Sequence, residues 1–272
     1  MGRIADRFAA LRQRGEVALV PFFMAGDPDL DVTRALLRAA AEEGADLIEL
    51  AVPFSDPTAD GPIIQRAGVR ALANRTSLRQ ILELVAELRS DGFDTPIVLF
   101  GYYNPIFHYG PARLADDAAR AGVDGLLVVD LPPEEADELW RPARAAGLDV
   151  IFLLAPTSDA DRVRAVQRKA SGFIYFVSMT GITGTKAIDA ADVRRMVQDL
   201  RSSCRLPLGV GFGITTPAEA AAVASYADAV VVGSAIVRLI EAKAAAPDLV
   251  SEVGAFIRAL KNATRARAGA AA

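Results

Sequence analysis

Residues 45–62, ADLIELAVPFSDPTADGP, decide the fold. Residues 46–50 read as a short buried strand, apolar apart from two acids. Successive strand side chains alternate between faces, so Glu49 shares a side with Leu47 and Ala51, opposite Ile48 and Leu50. A lone carboxyl on such a strand is partly desolvated, which raises its pKa and suits it to moving protons near neutrality. The loop that follows is stiffened by Pro53, Pro57 and Pro62 and carries Asp56 and Asp60. A buried acid near a strand end, with two more on a stiff loop, is an arrangement a catalytic pocket uses. A salt-bridged core glutamate with solvated loop acids is the alternative.

Upstream of this stretch, Ile4, Phe8 and Leu11 share one helical face ahead of Gly15. Residues 17–23 form the first expected strand, closed by the turn Gly26-Asp27-Pro28, and residues 31–43 a helix stopped at Gly44. Downstream, helices over 63–73 and 77–90 precede a third strand over 96–102. Strands over 125–129, 149–154, 172–177, 208–210 and 229–232 then alternate with helices over 111–121, 134–146, 159–170, 189–202 and 217–226. A helix follows Gly233-Ser234, another over 249–261 closes the structure, and the alanine-rich end is expected to fray from Ala263. Eight apolar strands alternating with amphipathic helices, without a linker-like break, predict one α/β domain. The expected fold is a (β/α)8 (TIM) barrel with an extra N-terminal helix and extra helices around it. An open doubly wound sheet is the alternative, weakened because no GxGxxG opens a helix after the first strand.

Composition narrows the function. The 272 residues are 52% apolar with a net charge of −4, and their charges are interspersed, so there is no basic footprint for nucleic acid and no polybasic membrane patch. The longest apolar run, 17–25, is too short to span a bilayer. Asp6 and Glu16 interrupt an arginine-bearing start, and Asp6 stands where myristoylation needs Ser or Thr, so a cytoplasmic protein is expected. Cys204 is the one cysteine and His108 the one histidine, leaving no internal disulfide and little material for a His-rich metal site or a Ser-His-Asp triad.

Barrel active sites lie at the carboxyl ends of the strands. There the sequence places Gly209-Val210-Gly211-Phe212-Gly213 after strand seven and Gly233-Ser234 after strand eight, where such barrels commonly hold phosphate. Gly184, in Gly181-Ile182-Thr183-Gly184 of the long sixth loop, offers another backbone amide. Tight turns needing positive φ are the alternative for any one of these glycines. Tyr175, on the face of Phe173 and Val177, is either a core aromatic or a partner of Glu49 over a ligand. Phe22, Phe100, Tyr102, Leu127, Val129 and Leu153 fall near strand ends at alternate positions, and those in the top layer make an apolar pocket. Asp130 ends strand four, as a supporting acid or a helix-capping partner. Lys169, Lys243 and Lys261 fall on helices and Lys186 on the sixth loop, which speaks against a Schiff-base aldolase. Any carbon–carbon cleavage here must therefore use carboxylates and an electron sink within the substrate itself.

Residues 49–62 resemble the signature of the tryptophan synthase alpha chain family, as do Tyr102-Tyr103-Asn104-Pro105-Ile106-Phe107, Asp130-Leu131-Pro132, Gly181-Ile182-Thr183-Gly184 and Gly211-Phe212-Gly213. The likeness covers essentially the whole chain up to the terminal helix. It implies a (β/α)8 barrel that cleaves indole-3-glycerol phosphate to indole and glyceraldehyde 3-phosphate. No cofactor is implied in this chain; the implied partner is a beta chain carrying pyridoxal phosphate, which consumes the indole in an alpha2beta2 heterotetramer. The resemblance makes Glu49 the general acid/base, Asp60 the acceptor of the indole N–H, and Tyr175 a positioning group. It gives Gly184, Gly213, Gly233 and Ser234 to the phosphate and Phe22, Phe100 and Leu127 to the indole. Tyr102, Thr183 and Phe212 also fall to the substrate; mobile loops around 56–60 and around Thr183 would close over it, and loop two, with Pro53 and Asp56, would face the beta chain. Ala51 and Thr58 depart from the pattern, where a glycine and an apolar residue are usual, and they flank the acid pair without removing it. A barrel serving mainly to activate the beta chain, or another phosphosugar enzyme, are the alternative functions.

Overall fold

The computed structural model describes residues 2–177, 190–211 and 213–265. Among them, eight strands pair in parallel and in chain order into a closed barrel, β1-β2-β3-β4-β5-β6-β7-β8. The strands are β1 (Ala18–Met24), β2 (Ile48–Ala51), β3 (Ile97–Gly101), β4 (Gly125–Val128), β5 (Asp149–Leu154), β6 (Ile174–Val177), β7 (Leu208–Gly211) and β8 (Ala229–Val232). The helices are α1 (Arg3–Arg14), α2 (Leu30–Glu42), α3 (Pro62–Ala73), α4 (Leu78–Ser90), α5 (Tyr103–Tyr109), α6 (Pro111–Ala121), α7 (Asp137–Ala145), α8 (Ala160–Lys169), α9 (Ala190–Ser203), α10 (Pro217–Ala224), α11 (Ser234–Lys243) and α12 (Leu249–Arg265). The expected barrel, with its N-terminal and additional helices, is the observed one.

Register shows how the barrel closes. Phe22 pairs with Glu49, Glu49 with Val98, Val98 with Gly125 and Gly125 with Asp149. The circuit continues from Leu153 through Tyr175, Gly209 and Ala229 to Ala18. It thus slips four residues between Asp149 and Leu153 and four between Ala18 and Phe22. That offset of eight is the shear that gives an eight-stranded barrel its tilt and a filled interior. Inward side chains (Ala18, Val20, Leu47, Val98, Leu127, Ile151, Phe173, Tyr175, Ala229, Val231) form one cluster, and Ile48, Leu50, Leu99, Leu126 and Val210 pack outward against the helices. The face assignment made for Glu49 from strand alternation holds.

α1 seals the amino-terminal end. Ile4, Phe8 and Leu11 lie in the interior cluster, with the Phe8 ring 6.0 Å from that of Phe173. A polar device recurs around this end. The N–H of Leu19 donates to Asp46 Oδ2 at 2.8 Å, that of Ile97 to Asp124 Oδ2 at 2.8 Å, that of Val150 to Ser171 Oγ at 3.0 Å, and that of Leu208 to Asp228 Oδ2 at 2.9 Å. Each acceptor stands just before an even-numbered strand and takes an amide of the odd-numbered strand before it, so strand pairs are stapled where the ladder begins. Asp46 also meets Lys261 of α12 at 2.7 Å, with both side chains buried.

Three differences from the sequence reading have local causes. α5 was not expected, because seven residues carry little periodicity and Pro105 sits among them. Proline is tolerated in a first turn, and the free N–H of Tyr103 is taken by Asp130 Oδ1 at 2.7 Å, a partner 27 residues away. Asp130 is thus a helix cap. α7 begins at Asp137, since residues 134–136 form a turn. α12 runs through Arg265, past Ala263, because Leu260 and Thr264 on its last turns are buried.

Replacing Asp46 with Ala orphans the Leu19 amide and leaves the buried Lys261 ammonium with the more distant Val17 carbonyl, 3.5 Å away, and Glu16 carboxylate, 3.6 Å away. Urea unfolding should register a loss of about 3 kcal/mol or more. A loss under about 1 kcal/mol would show that the staple carries little of the stability.

Candidate active site

Glu49 lies at the second position of β2 with its side chain inside the barrel, 1% exposed. Its Oε1 is buried without a hydrogen-bond partner among the described residues. A salt-bridged core glutamate, the alternative reading, would have a cation here. Burial alone pushes its pKa from 4.5 up to about 8. At pH 7 the group is therefore held mainly in its neutral form. Tyr175, on β6 and 8% exposed, lies near enough for the Glu49 charge to add to the burial that holds its hydroxyl well above its ordinary pKa. The barrel therefore places a neutral acid beside a neutral phenol.

Asp60 stands at the end of loop two, just ahead of α3, and is half-buried. Desolvation raises its carboxyl to about 6, against the lowering effect of a hydrogen bond from Tyr102. The carboxyl groups of Glu49 and Asp60 are thus held apart, one neutral and one ionised near neutrality, as an acid–base pair requires. Asp56 is exposed and accepts from the neighbouring Ser55 Oγ at 2.5 Å, a solvated loop acid.

Around the mouth, the Phe22 and Phe100 rings meet edge to face at 5.3 Å. Val129, Leu153 and Val177 are partly open above the interior cluster, while Leu127 is fully enclosed and serves as floor. Ile63 and Ile64 of α3 pack with Phe22, Ala51 and Phe100. These isoleucines were missed because a search of strand ends does not reach a helix that folds back over the mouth. Pro62 at the start of α3, directly after Asp60, was the available signal.

The expected glycine cluster divides. A Cβ built on Gly211 would lie 2.7 Å from Tyr175 Cζ and 3.0 Å from Val231 Cβ, so this glycine makes room for the tyrosine. Gly209 likewise abuts Phe173 at 3.1 Å. Gly213 has φ +71°, a conformation that suits glycine on the rim. Gly233 caps α11, whose first turn has no side-chain cap and leaves its amides for an anion. The nearby start of α10 is closed by a capping box of Thr216 and Glu219. Of the two helix starts, α11 is the one with phosphate capacity, and Ser234 is its first residue. Thr183, Gly184, Phe212 and Lys186 lie outside the described residues.

Among the described residues, the groups of the other candidate chemistries are engaged elsewhere. Lys169 is engaged by Asp137 and the Pro133 carbonyl, Lys243 by Asp248 and Lys261 by Asp46. His108 is exposed on α5, outside the barrel, with Nδ1 3.4 Å from the Asn104 carbonyl. Among the described residues, no group of three or more His, Cys, Asp or Glu is placed to hold a metal ion.

Fold and site define a (β/α)8 barrel with a buried carboxyl group facing an apolar mouth. A model of the tryptophan synthase alpha chain family matches residues 8–265. The chain is 56% identical over 261 residues to the tryptophan synthase alpha chain of Citrifermentans bemidjiense, covering 96% of this chain and 97% of the relative. It is 53% identical over 270 residues to that of Gluconacetobacter diazotrophicus, covering 97% and 98%. The crystal structure of tryptophan synthase subunit alpha from Legionella pneumophila superposes with a TM-score of 0.91 at 38% identity, covering 97% and 98%. The chain belongs to the tryptophan synthase alpha chain family, whose reaction is the cleavage of indole-3-glycerol phosphate to indole and glyceraldehyde 3-phosphate in tryptophan biosynthesis.

Two substitutions probe this geometry. Because the folded-state pKa of Glu49 lies above the unfolded value, its ionisation costs stability as pH rises above about 4.5. Glu49→Gln should therefore be more stable than the parent at pH 7, by on the order of 3 kcal/mol, with the gap closing below about pH 4.5. Chemical denaturation across pH measures this, and a gap independent of pH would contradict the burial of an unpaired carboxyl. Gly211→Ala should displace Tyr175 and lower kcat/KM by about tenfold or more while far-UV circular dichroism stays unchanged. Full activity would mean that the phenol can move at no cost.

Proposed function

We propose that the chain performs its family's cleavage with Glu49 and Asp60 as the working pair. The observation that carries this reading is the buried Glu49 carboxyl, unpartnered at Oε1 and neutral at pH 7, at the floor of an apolar mouth. Neutral Glu49 donates its proton to C3 of the indole ring, which makes the ring an electron sink. Ionised Asp60 accepts the ring N–H and offsets the positive charge that develops there. The Glu49 carboxylate then takes the proton of the side-chain hydroxyl next to the ring. The carbon–carbon bond breaks, its electrons return to the ring, and indole and the aldehyde separate. Glu49 ends protonated, as it began, so the cycle balances without a lysine or a metal. Tyr175 positions the reacting centre beside Glu49.

The phosphate is assigned to Gly213, Gly233 and Ser234 at the bare start of α11, with Gly184 and Thr183 of the sixth loop and Phe212 completing the enclosure. The indole is assigned to the edge-to-face pair Phe22 and Phe100 over Leu127. The partner is a tryptophan synthase beta chain carrying pyridoxal phosphate, in a cytoplasmic alpha2beta2 assembly. Loop two and α5 share the rim where that chain would dock. Phe107 on α5 is 57% exposed, a large aromatic surface that a partner would cover. No described helix is long and apolar enough to cross a membrane.

The pH dependence of indole release tests the pair. Activity needs Asp60 ionised and Glu49 protonated, so kcat/KM should rise as pH passes about 6 and fall as it passes about 8. In the same assay, with and without a beta chain, Glu49→Gln should lose indole release by about a thousandfold or more while still binding glycerol phosphate. Turnover by Glu49→Gln at the parent rate would remove the acid/base role.

A further inference from the structure

The substrate assigned above spans two helix starts. Asp60 stands just ahead of α3, whose first turn brings Ile63 and Ile64 to the mouth where the indole is assigned. The phosphate is assigned to the uncapped start of α11. A ligand held at both ends gains from its second contact only when the two sites stand at the right spacing. Whatever fixes α3 against α11 therefore bears on the chemistry.

Apolar packing fixes it weakly. The buried face of α3 is Ala67, Gly68 and Ala71, and the two alanines share a cluster with Val237 of α11. Packed helices hold their relative position by side-chain ridges seated in grooves, and alanine and glycine raise shallow ridges. The polar contact is firmer. Glu241 of α11 accepts from Arg66 Nε at Oε1 and from Arg66 Nη2 at Oε2, both at 2.7 Å, and from Arg70 Nη1 at Oε1, also at 2.7 Å. Arg70 in turn sets Nε and Nη2 on the two oxygens of Asp27, at 2.7 and 2.8 Å. The Asp27 side chain is 1% exposed, so the clasp is anchored in the turn that follows β1. Its charges alternate, Arg66–Glu241–Arg70–Asp27, which offsets the repulsion between two arginines one turn apart on α3. A guanidinium fork fixes angle as well as distance. Hydrogen bonds from Arg66 lead in holding the Glu241 carboxyl down at about 2, so it is ionised wherever Glu49 and Asp60 titrate. The clasp stands one to two turns from the helix starts, roughly 6 to 12 Å along their axes, and acts on substrate through the helices.

We propose that Glu241 is a positioning residue for the cleavage: gripped by Arg66 and Arg70, it fixes the start of α11 against that of α3, so that phosphate and indole are held at the spacing at which the bond breaks. This role rests on the assignment of the phosphate to α11 and of the indole to the mouth beside α3, and it adds a residue that touches neither.

The test is Glu241→Gln in the full chain, which keeps the size of the side chain and removes its charge. Calorimetric titration compares parent and variant with glycerol phosphate and with indole, each filling one end, and with indole-3-propanol phosphate. This last ligand spans both ends and, lacking the two chain hydroxyls of the substrate, is not cleaved. The variant should bind the spanning ligand about tenfold more weakly and lose kcat/KM for indole release by a similar factor, while both one-ended ligands stay within about twofold of the parent. An equal loss for all three would mean general loosening, and an unchanged affinity for the spanning ligand would mean that the spacing is set elsewhere; either overturns the proposal. Should Glu241→Gln lose its far-UV circular dichroism, Arg66→Gln cuts the more exposed fork and leaves the Arg70 contact in place. It should show the same selective loss at smaller size, and a loss without selectivity overturns the proposal equally. Ser234→Asp, which sets a negative charge at the start of α11, should abolish glycerol phosphate binding. Retained binding there would fault the phosphate assignment, and the proposal with it, a result distinct from failure of the clasp alone.

Discussion

A carboxyl group buried without a partner is expensive, and the rest of this molecule is arranged so that Glu49 stays where it is. β2 shows the contrast within three residues. Asp46, just before the strand, takes the Leu19 amide and meets the Lys261 ammonium. Glu49 looks into a space lined by Leu47, Val98, Tyr175 and their neighbours, with nothing to accept from or donate to at Oε1. Satisfied acids gather at the amino-terminal end of the barrel, and the costly one stands toward the carboxyl-terminal end. Stability and chemistry are separated along the length of the strands, as the fold permits.

The same desolvation treats the two carboxyls differently because their surroundings differ. Glu49 is buried with no partner for Oε1 among the described residues, and burial keeps its proton on. Asp60 is less deeply placed and has the Tyr102 hydroxyl, so it is ionised at a lower pH. A barrel wall supplies the first environment and a loop tied to β3 the second. Neither requires a change in residue chemistry, since both groups are ordinary carboxylic acids whose order of titration is set by position.

Glycine at the mouth has two physical meanings. At Gly209 and Gly211 it is an absence of volume, which lets the rings of Phe173 and Tyr175 cross the barrel. At Gly213 it is a backbone conformation, and at Gly233 an uncapped helix start. A string of glycines after strand seven suggests a phosphate loop when read alone, because sequence carries no record of which ring lies opposite. That opposing ring comes from β6, 36 residues before Gly211 in the chain but beside it in the sheet.

Much was legible in the sequence because the relevant signals are local. Alternation of side chains set Glu49 inside and Ile48 outside, and repeated apolar strands and amphipathic helices set the barrel. Glycine stops marked helix ends, such as Gly15 after α1 and Gly122 after α6. What only the tertiary structure decided depends on contacts between distant segments. Asp130 caps α5 from another strand, Ile64 folds back over the mouth, and Tyr102 reaches loop two across 43 residues. Sequence specified which side chains are buried, since that follows from periodicity. It did not specify which buried polar group has a partner, because hydrogen bonding depends on distances that exist only once the barrel has closed.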